Sequence, residues 1–195
     1  MPIRQEFPTR ASLKPLLKDP KVQRFRAKIR YGEHQYTKDP YTVRFGGTIQ
    51  NPKRFNYVTT EGHPDITVTT PNFKSNAAGA YQFMGGPDRS WAVANREHPH
   101  GDNPNMYPTT QDIAALEMIV GQKGIDPRLP PTPQSIAKLA EVWASFPTLG
   151  GVSNYNDKHG KPQHTMTFGQ LQTFYNEWQE PEFPYPLPPL PGSGE

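Results

Sequence analysis

The sequence contains no cysteine among its 195 residues. This absence excludes disulfide bonds, thiolate nucleophiles and cysteine-ligated metal centres, and it makes the fold independent of the redox compartment. The chain also lacks an apolar run long enough to span a membrane. Residues 1–7 have no apolar segment of the kind that a signal peptide needs. We therefore expect a protein made in a cytoplasm, without membrane insertion, that needs another route for any later export.

Hydrophobic residues are scarce, at 33% of the chain, whereas 24 prolines and 16 glycines interrupt it. This composition predicts short elements joined by much loop, in one domain of ordinary size. The net charge is +3 and the pI is near 9.0. Such mild basicity fits a polyanionic partner, either nucleic acid or an anionic wall or membrane surface, and it also fits an uninformative basic surface.

The chain divides into three predicted segments. Residues 1–18 are polar with scattered apolar positions and read as an N-terminal arm, and residues 19–179 carry the periodic patterns of a folded domain. Residues 180–195 are rich in proline, which predicts an extended polyproline-II tail that becomes flexible. The tail has the composition of a docking peptide or of a plain linker.

The domain is predicted to be α+β and mostly helical. Residues 38–70 contain short alternating runs, which indicate a small, irregular antiparallel β region. Helices are predicted over 19–33 and 77–84, and further helices begin near Pro87, Thr109, Thr132 and Thr167.

The first helix carries a carboxylate in an unusual place. Asp19 is a suitable N-cap, and Val22, Phe25 and Ile29 follow one face of the helix. The next position on that apolar stripe is Glu33. A carboxylate there points toward the core or a cleft and tends to keep its proton, as a general acid must. The alternative is a solvated residue at a frayed helix end.

Six short motifs follow one another in a distinctive order. They are Tyr31-Gly32-Glu33, Phe45-Gly46-Gly47, Gly62-His63-Pro64, the stretch 74–83 (KSNAAGAYQF), the stretch 110–116 (TQDIAAL) and Trp143-Ala144-Ser145-Phe146-Pro147. Over roughly residues 20–178 this order resembles the phage lambda-type endolysins, which are lytic transglycosylases with a lysozyme-like fold.

The resemblance implies a lysozyme-like fold with the β region beside an active-site cleft. It also implies cleavage of the β-1,4 bond between N-acetylmuramic acid and N-acetylglucosamine in bacterial peptidoglycan. Glu33 would protonate the leaving oxygen and then take the proton of the C6 hydroxyl, which gives a 1,6-anhydro product. The predicted substrate-binding residues are Gly46, Gly47, Tyr81, Gln82, Ser145 and Tyr155. No cofactor is implied. Tyr81 and Gln82 fit core and cap positions equally well, and Trp143 fits the core better than a sugar platform.

The sequence departs from the family pattern at three places. Gly32 and His34 flank Glu33 where the family commonly has serine and glycine, and Gly62 stands where it has aspartate. A charged His34 in contact with Glu33 would lower the pKa of that carboxyl.

Two other functions remain open. A hydrolytic muramidase of the same fold would take a second carboxylate from the β region, namely Asp39, Glu61 or Asp65. A non-enzymatic virion protein would keep the fold as a structural or glycan-binding module. A metal site is not predicted, because the spacing of His98, His100 and Asp102 suits a tetrahedral site poorly.

The expected partner is the glycan strand of bacterial peptidoglycan, and nucleic acid is not expected. The arm and the tail are candidate contacts for phage tail or virion proteins. A protein of this kind is made in the host cytoplasm and acts at the periplasm and cell wall, after passage through a holin pore or carriage in the virion.

Overall fold

The computed structural model of the protein describes residues 8–34, 39–47, 50–96, 98 and 101–177. The six α-helices in these ranges are α1 (Arg10–Leu13), α2 (Pro20–His34), α3 (Ser90–Ala94), α4 (Pro108–Leu116), α5 (Pro133–Leu139) and α6 (Phe168–Glu177). Short 3-10 helices span Lys14–Lys18 and Pro40–Thr42, and a π-helical segment, Glu117–Gln122, follows α4. None of these helices combines the length and the apolar character that crossing a membrane requires.

Helix α2 confirms the prediction for residues 19–33. The Asp19 carboxylate accepts a hydrogen bond from the backbone N–H of Lys21 at 2.8 Å, which caps the helix start. The stripe of Val22, Phe25 and Ile29 is buried in the main core. Glu33 therefore lies in the last turn of a helix whose apolar face is anchored.

The β region consists of two small antiparallel pairs. Strand β1 (Val43–Arg44) pairs with β2 (Lys53–Arg54), and β3 (Val68–Thr69) pairs with β4 (Lys74–Ser75). An isolated bridge between Arg44 and Ala78 connects the first pair to the chain beyond β4. The predicted small antiparallel β region is confirmed.

Residues 77–84 do not form the predicted helix. Ala78 bridges Phe83, and Gly79 and Gln82 take positive φ angles of 79° and 46°. The N–H of Ala80 donates to the side-chain Oε1 of Gln111 at 2.8 Å and not to a helical carbonyl. The prediction was wrong because a side chain from α4 satisfies a donor that a local helix would need.

Besides the Asp19 cap, helix capping was predicted correctly at two of three places. Thr132 exchanges hydrogen bonds with Ser135, and Thr167 with Gln170, as capping boxes do. The predicted cap at Thr109 is wrong, since α4 begins at Pro108 and has no side-chain cap. The helix predicted from Pro87 begins later, as α3.

The described part of the predicted N-terminal arm packs on the domain. Leu13 is buried in the main core, and the Arg10 guanidinium lies 3.3 Å from the Glu117 carboxylate. The tail over 180–195 and residues 1–7 lie outside the described residues, so their roles stay predictions.

Candidate active site

Glu33 is half-buried, and its carboxylate is hydrogen-bonded to Ser145, which is distant in the chain. The Ser145 hydroxyl donates to Glu33 Oε1 at 2.6 Å, and the Ser145 backbone N–H donates to the same carboxylate. Burial raises the pKa of Glu33 to about 7, and the two hydrogen bonds from Ser145 oppose that rise. A carboxyl with this pKa can give and take a proton near neutral pH.

Gly32 allows helix α2 to approach the segment that carries Ser145. A Cβ at Gly32 would lie 2.6 Å from Ser145 Oγ and 2.7 Å from Met166 Cε. A side chain there would displace the Ser145 hydroxyl and the Met166 side chain, because real Cβ contacts are longer. Glycine at this position, where the family commonly has serine, therefore fits the close packing of Ser145 and Met166 beside Glu33.

Ser145 itself is held by its neighbours. Its carbonyl accepts the Met166 N–H at 3.0 Å and the Thr165 hydroxyl at 2.8 Å, while Ser153 Oγ donates to the Ala144 carbonyl at 3.0 Å. Ser145 is only 9% exposed. A group with so little freedom fixes the orientation of the carboxylate that it contacts.

Tyr155 is brought near Glu33. Burial raises the pKa of the Tyr155 phenol, and the charge of Glu33 raises it further. The Tyr155 hydroxyl donates to the Glu141 carbonyl at 2.7 Å. The Tyr155 phenol thus lies close enough to Glu33 for that charge to act on its pKa, while its proton is directed to Glu141. Its contact with substrate stays a prediction.

Tyr81 lies in the core. Its side chain has no exposed surface, its hydroxyl donates to Asp112 Oδ1 at 2.6 Å, and its carbonyl accepts the Trp143 Nε1–H at 2.9 Å. The core position expected for Trp143 is confirmed, since that side chain is also buried. The substrate-binding role predicted for Tyr81 is not tested by this placement, but its hydroxyl is committed to Asp112.

Gln82 adopts a backbone conformation that is rare for its residue type. Its φ of 46° lies in the left-handed region, and its Nε2 donates to the Gly79 carbonyl at 3.0 Å. Left-handed non-glycine residues are concentrated at functional sites, where the surrounding structure supports them. The feature is consistent with the predicted role of Gln82 in the groove.

Gly46 and Gly47 shape the turn after β1. Gly46 has a φ of 85°, and a Cβ there would lie 2.7 Å from Val68 Cγ1 on β3. A Cβ at Gly47 would collide with the backbone nitrogen of Lys53. Gly46 thus allows β3 to approach the turn, and Gly47 allows the chain after β1 to approach the start of β2. The contact of both glycines with glycan stays a prediction.

A buried ionic cluster beneath α2 was not predicted from the sequence. Arg26 Nη1 lies 2.5 Å from Asp112 Oδ2, and the Tyr41 hydroxyl donates to Asp112 Oδ1 at 3.0 Å. Burial alone would raise the pKa of Asp112, but Arg26 and Arg30 outweigh it and hold that pKa below its ordinary value. The spacing of Arg26 and Arg30, one helical turn apart beside an apolar stripe, was the available signal.

A second buried cation joins α2 to α6. Lys28 is 1% exposed, and its Nζ donates to the Leu171 carbonyl and lies 4.8 Å from the centre of the Tyr175 ring. Burial lowers the pKa of Lys28 to about 7. This contact fixes the side of α2 that faces the last helix.

The other candidate acids lie in the β region. Asp39 forms an ion pair with Arg54 at 3.5 Å, the Asp65 carboxylate accepts a hydrogen bond from Asn76, and Glu61 is exposed. In the described ranges, no three His, Asp or Glu side chains are grouped so as to hold a metal ion. The side chain of His34 lies outside the described residues, so its predicted effect on Glu33 stays a prediction.

His63 has a structural place in this region. Its Nδ1 accepts the Asp65 N–H, so Nε2 carries the proton and donates to the Phe83 carbonyl at 2.8 Å. Burial lowers the pKa of His63, which favours this neutral form. At Gly62, whose φ is 64°, any side chain would collide with Asn103, so the aspartate of the family pattern does not fit.

Comparisons with known proteins agree on one family and one fold. The family model described as Endolysin matches residues 25–179. The solved structure of bacteriophage lambda lysozyme, complexed with a chitohexasaccharide, is similar with a TM-score of 0.56. It is 24% identical in sequence, and the match covers 80% of this chain and 92% of the lambda lysozyme chain. Among curated protein sequences none matches this chain. The predicted lysozyme-like α+β fold is confirmed.

Proposed function

We propose that this chain, which belongs to the Endolysin family of lysozyme-like, peptidoglycan-degrading enzymes, is a lytic transglycosylase. The observation that carries the proposal is the Glu33 carboxyl, whose pKa is raised to about 7 beside a fixed Ser145 hydroxyl. Such a carboxyl serves first as an acid and then as a base.

In the proposed reaction, Glu33 donates its proton to the oxygen of the β-1,4 bond as the bond from C1 of N-acetylmuramic acid to that oxygen breaks. The Glu33 carboxylate then accepts the proton of the C6 hydroxyl of the same sugar. The C6 oxygen bonds to C1 and closes a 1,6-anhydro ring. Glu33 ends protonated, and no water is consumed.

A single carboxylate suffices for this route, whereas ordinary glycoside hydrolysis uses two. The influences on the pKa of Glu33 are burial and Ser145, and no second carboxylate of the described chain is among them. Asp39 and Asp65 are engaged with Arg54 and Asn76. Glu61, the third candidate, is exposed and is not among the influences on the pKa of Glu33. These observations favour the transglycosylase over the hydrolytic muramidase.

The lambda lysozyme structure is a complex with a chitohexasaccharide, a β-1,4-linked amino-sugar chain. We propose that this chain likewise binds a glycan strand, in the cleft between the end of α2 and the β region. Ser145 positions Glu33, and Tyr155 and Gln82 border the bound sugars. Gly46 and Gly47 shape the groove, while Tyr81 supports it from the core.

The proposed place of action is the bacterial wall, reached from the host cytoplasm or from the virion. The basic composition fits an anionic setting, and a chain without cysteine does not depend on the redox state of its compartment. We also propose that the tail over 180–195 binds other phage proteins. Deletion of these residues tests this role.

Mass spectrometry of peptidoglycan digested by the purified protein tests the reaction. The proposal predicts that the new ends are 1,6-anhydro-N-acetylmuramic acid. Reducing ends in their place would assign the hydrolytic muramidase reaction. A protein that binds peptidoglycan and produces neither end would be the non-enzymatic module.

A further inference from the structure

Trp143 attaches the segment that carries Ser145 to the core. Its indole Nε1–H donates to the Tyr81 carbonyl at 2.9 Å, and both side chains are buried. The Trp143 carbonyl accepts the Phe146 N–H at 3.2 Å, which closes a turn that contains Ser145. The indole of Trp143 therefore fixes one end of the turn from which Ser145 reaches Glu33.

Tyr81 is attached in addition to helix α2. Arg30 Nη1 donates to the Tyr81 hydroxyl at 3.2 Å, and that hydroxyl donates to Asp112 Oδ1 at 2.6 Å. Arg30 lies three residues before Glu33, so the two side chains leave neighbouring turns of α2. Tyr81 thus contacts α2 through its hydroxyl and the turn of Ser145 through its carbonyl.

These contacts form a closed ring. The Glu33 carboxylate accepts the Ser145 hydroxyl at 2.6 Å, which joins α2 to the turn once. The same two segments are joined again at Tyr81, which Arg30 and Trp143 both contact. A single hydrogen bond leaves two segments free to rotate about it, and a second contact at another point removes that freedom. The Trp143 bond is buried, so its loss would leave the Tyr81 carbonyl without this donor in a place where such a loss is costly.

We propose that Trp143 is a positioning residue, whose indole N–H acts through the Tyr81 carbonyl to hold Ser145 on the Glu33 carboxylate. The inference rests on the proposed function only in that Glu33 is the group that needs positioning. Ser145 opposes the rise of the Glu33 pKa with its hydroxyl and its backbone N–H. Displacement of Ser145 would weaken both hydrogen bonds and would therefore raise the pKa of Glu33 further.

The test compares two buried tryptophans. Trp143→Phe removes the indole N–H and keeps an aromatic ring. Trp91→Phe is the matched control, because the Trp91 indole is also buried and donates to a backbone carbonyl, that of Pro104, at 3.2 Å. Each substitution is made in the wild type and in Ser145→Ala. Carbon-13 NMR measures the titration midpoint of the Glu33 carboxyl, and the rate of peptidoglycan cleavage is measured between pH 5 and 9.

Two other titratable groups are near Glu33. The pKa of the Tyr155 phenol is raised above its ordinary value of 10.0, so Tyr155 stays protonated over this range of pH. His34, the next residue of the chain, is the same in every variant. Differences between the midpoints therefore report the contact of Glu33 with Ser145.

We expect Trp143→Phe to raise the Glu33 midpoint, to move the alkaline limb of the rate profile to higher pH, and to lower activity roughly threefold to tenfold. Trp91→Phe should leave the midpoint and the limb at their wild-type positions. In Ser145→Ala, Trp143→Phe should move the midpoint less than in the wild type, because one of the two groups through which it acts is absent.

The proposal would be overturned if Trp143→Phe left the Glu33 midpoint unchanged, or if Trp91→Phe raised it equally. An equal rise in the wild type and in Ser145→Ala would also overturn it, because Trp143 would then act on Glu33 by another route. If Trp143→Phe does not fold, benzothienylalanine at position 143 replaces it, since its fused rings keep the shape of indole and carry sulfur in place of the N–H. The same outcomes then decide.

The NMR comparison does not depend on the reaction that the protein catalyses. Reducing ends in the digestion, or no product at all, would count against the proposed function and leave the midpoints of the variants unaffected. Unchanged midpoints together with 1,6-anhydro ends would reject the role of Trp143 and leave the transglycosylase in place.

Discussion

Glu33, which is half-buried, and Asp112, which is buried, have opposite electrostatics. Glu33 is met by a hydroxyl and a backbone N–H from Ser145, and burial raises its pKa to about 7. Asp112 is met by Arg26 and Arg30, which hold its pKa below the ordinary value despite burial. The neighbours therefore decide which acid can exchange a proton near neutral pH and which acid stays charged. The first suits catalysis and the second suits anchoring of α2.

The largest effect is expected from Glu33→Gln. The amide keeps the shape and cannot donate the proton, so peptidoglycan clearing should fall by a factor of about 10² to 10⁴ or more. Zymography with equal amounts of folded protein measures this loss, and circular dichroism checks that the fold is kept. Clearing within tenfold of the wild type would remove Glu33 as the catalyst.

Asp112→Asn, unlike Glu33→Gln, is expected to lower the stability of the fold more than it lowers catalytic activity. The substitution leaves Arg26 buried without its counter-charge, which should lower the free energy of unfolding by about 3–5 kcal/mol. Urea denaturation measures the change. The matched control, Asp126→Asn, breaks the exposed pair with Arg128 and should cost under about 1 kcal/mol. Equal small losses would show that the buried cluster does not anchor the fold.

The pH dependence of stability separates the two acids further. Because the pKa of Glu33 is raised by folding, from an ordinary value of 4.5 to about 7, its stabilising proton is fully bound at low pH and is lost as the pH rises through 7. Glu33→Gln should therefore be more stable than the wild type by about 1–3 kcal/mol at pH 8, and this advantage should vanish near pH 4. Urea denaturation at both pH values gives the difference, and a pH-independent difference would contradict it.

A smaller effect is expected from Ser145→Ala. Loss of one hydrogen bond to a charged group, of about 1.5 kcal/mol, should reduce activity about tenfold. Since Ser145 lowers the pKa of Glu33, its removal should raise that pKa and move the alkaline limb of the rate profile to higher pH. The activity profile between pH 5 and 9 measures both. A limb that moves to lower pH would mean that Ser145 does not act on Glu33 as described.

The two acids also show which features could be predicted from the sequence and which could not. The apolar stripe of α2 is a local pattern, so the place of Glu33 on a buried face followed from residue spacing. The role of Asp112 depends on Arg26, far away in the chain, and local spacing suggested a cap near Thr109 instead. The conformation of residues 77–84 likewise depends on a distant residue, Gln111. Its side chain accepts the Ala80 N–H, which a helix would have paired with a backbone carbonyl. Long-range polar contacts of this kind leave no local periodicity.

The glycines illustrate the same limit. Gly32 and Gly62 are visible in the sequence as departures from a family pattern, but their reason lies in distant neighbours. Ser145 and Met166 occupy the space beside Gly32, and Asn103 occupies the space beside Gly62. The site around Glu33 therefore depends on packing between segments that are 112 residues apart in the chain, as the hydrogen bond from Ser145 to Glu33 shows.

We propose that the surroundings of Glu33 keep its carboxyl protonated near neutral pH. Carbon-13 NMR titration of the Glu33 carboxyl, assigned by comparison with Glu33→Gln, tests it most directly. We predict a midpoint near pH 7, well above the ordinary value of 4.5. A midpoint near the ordinary value of 4.5 would contradict the account, because Glu33 would then be ionised when the leaving oxygen needs its proton.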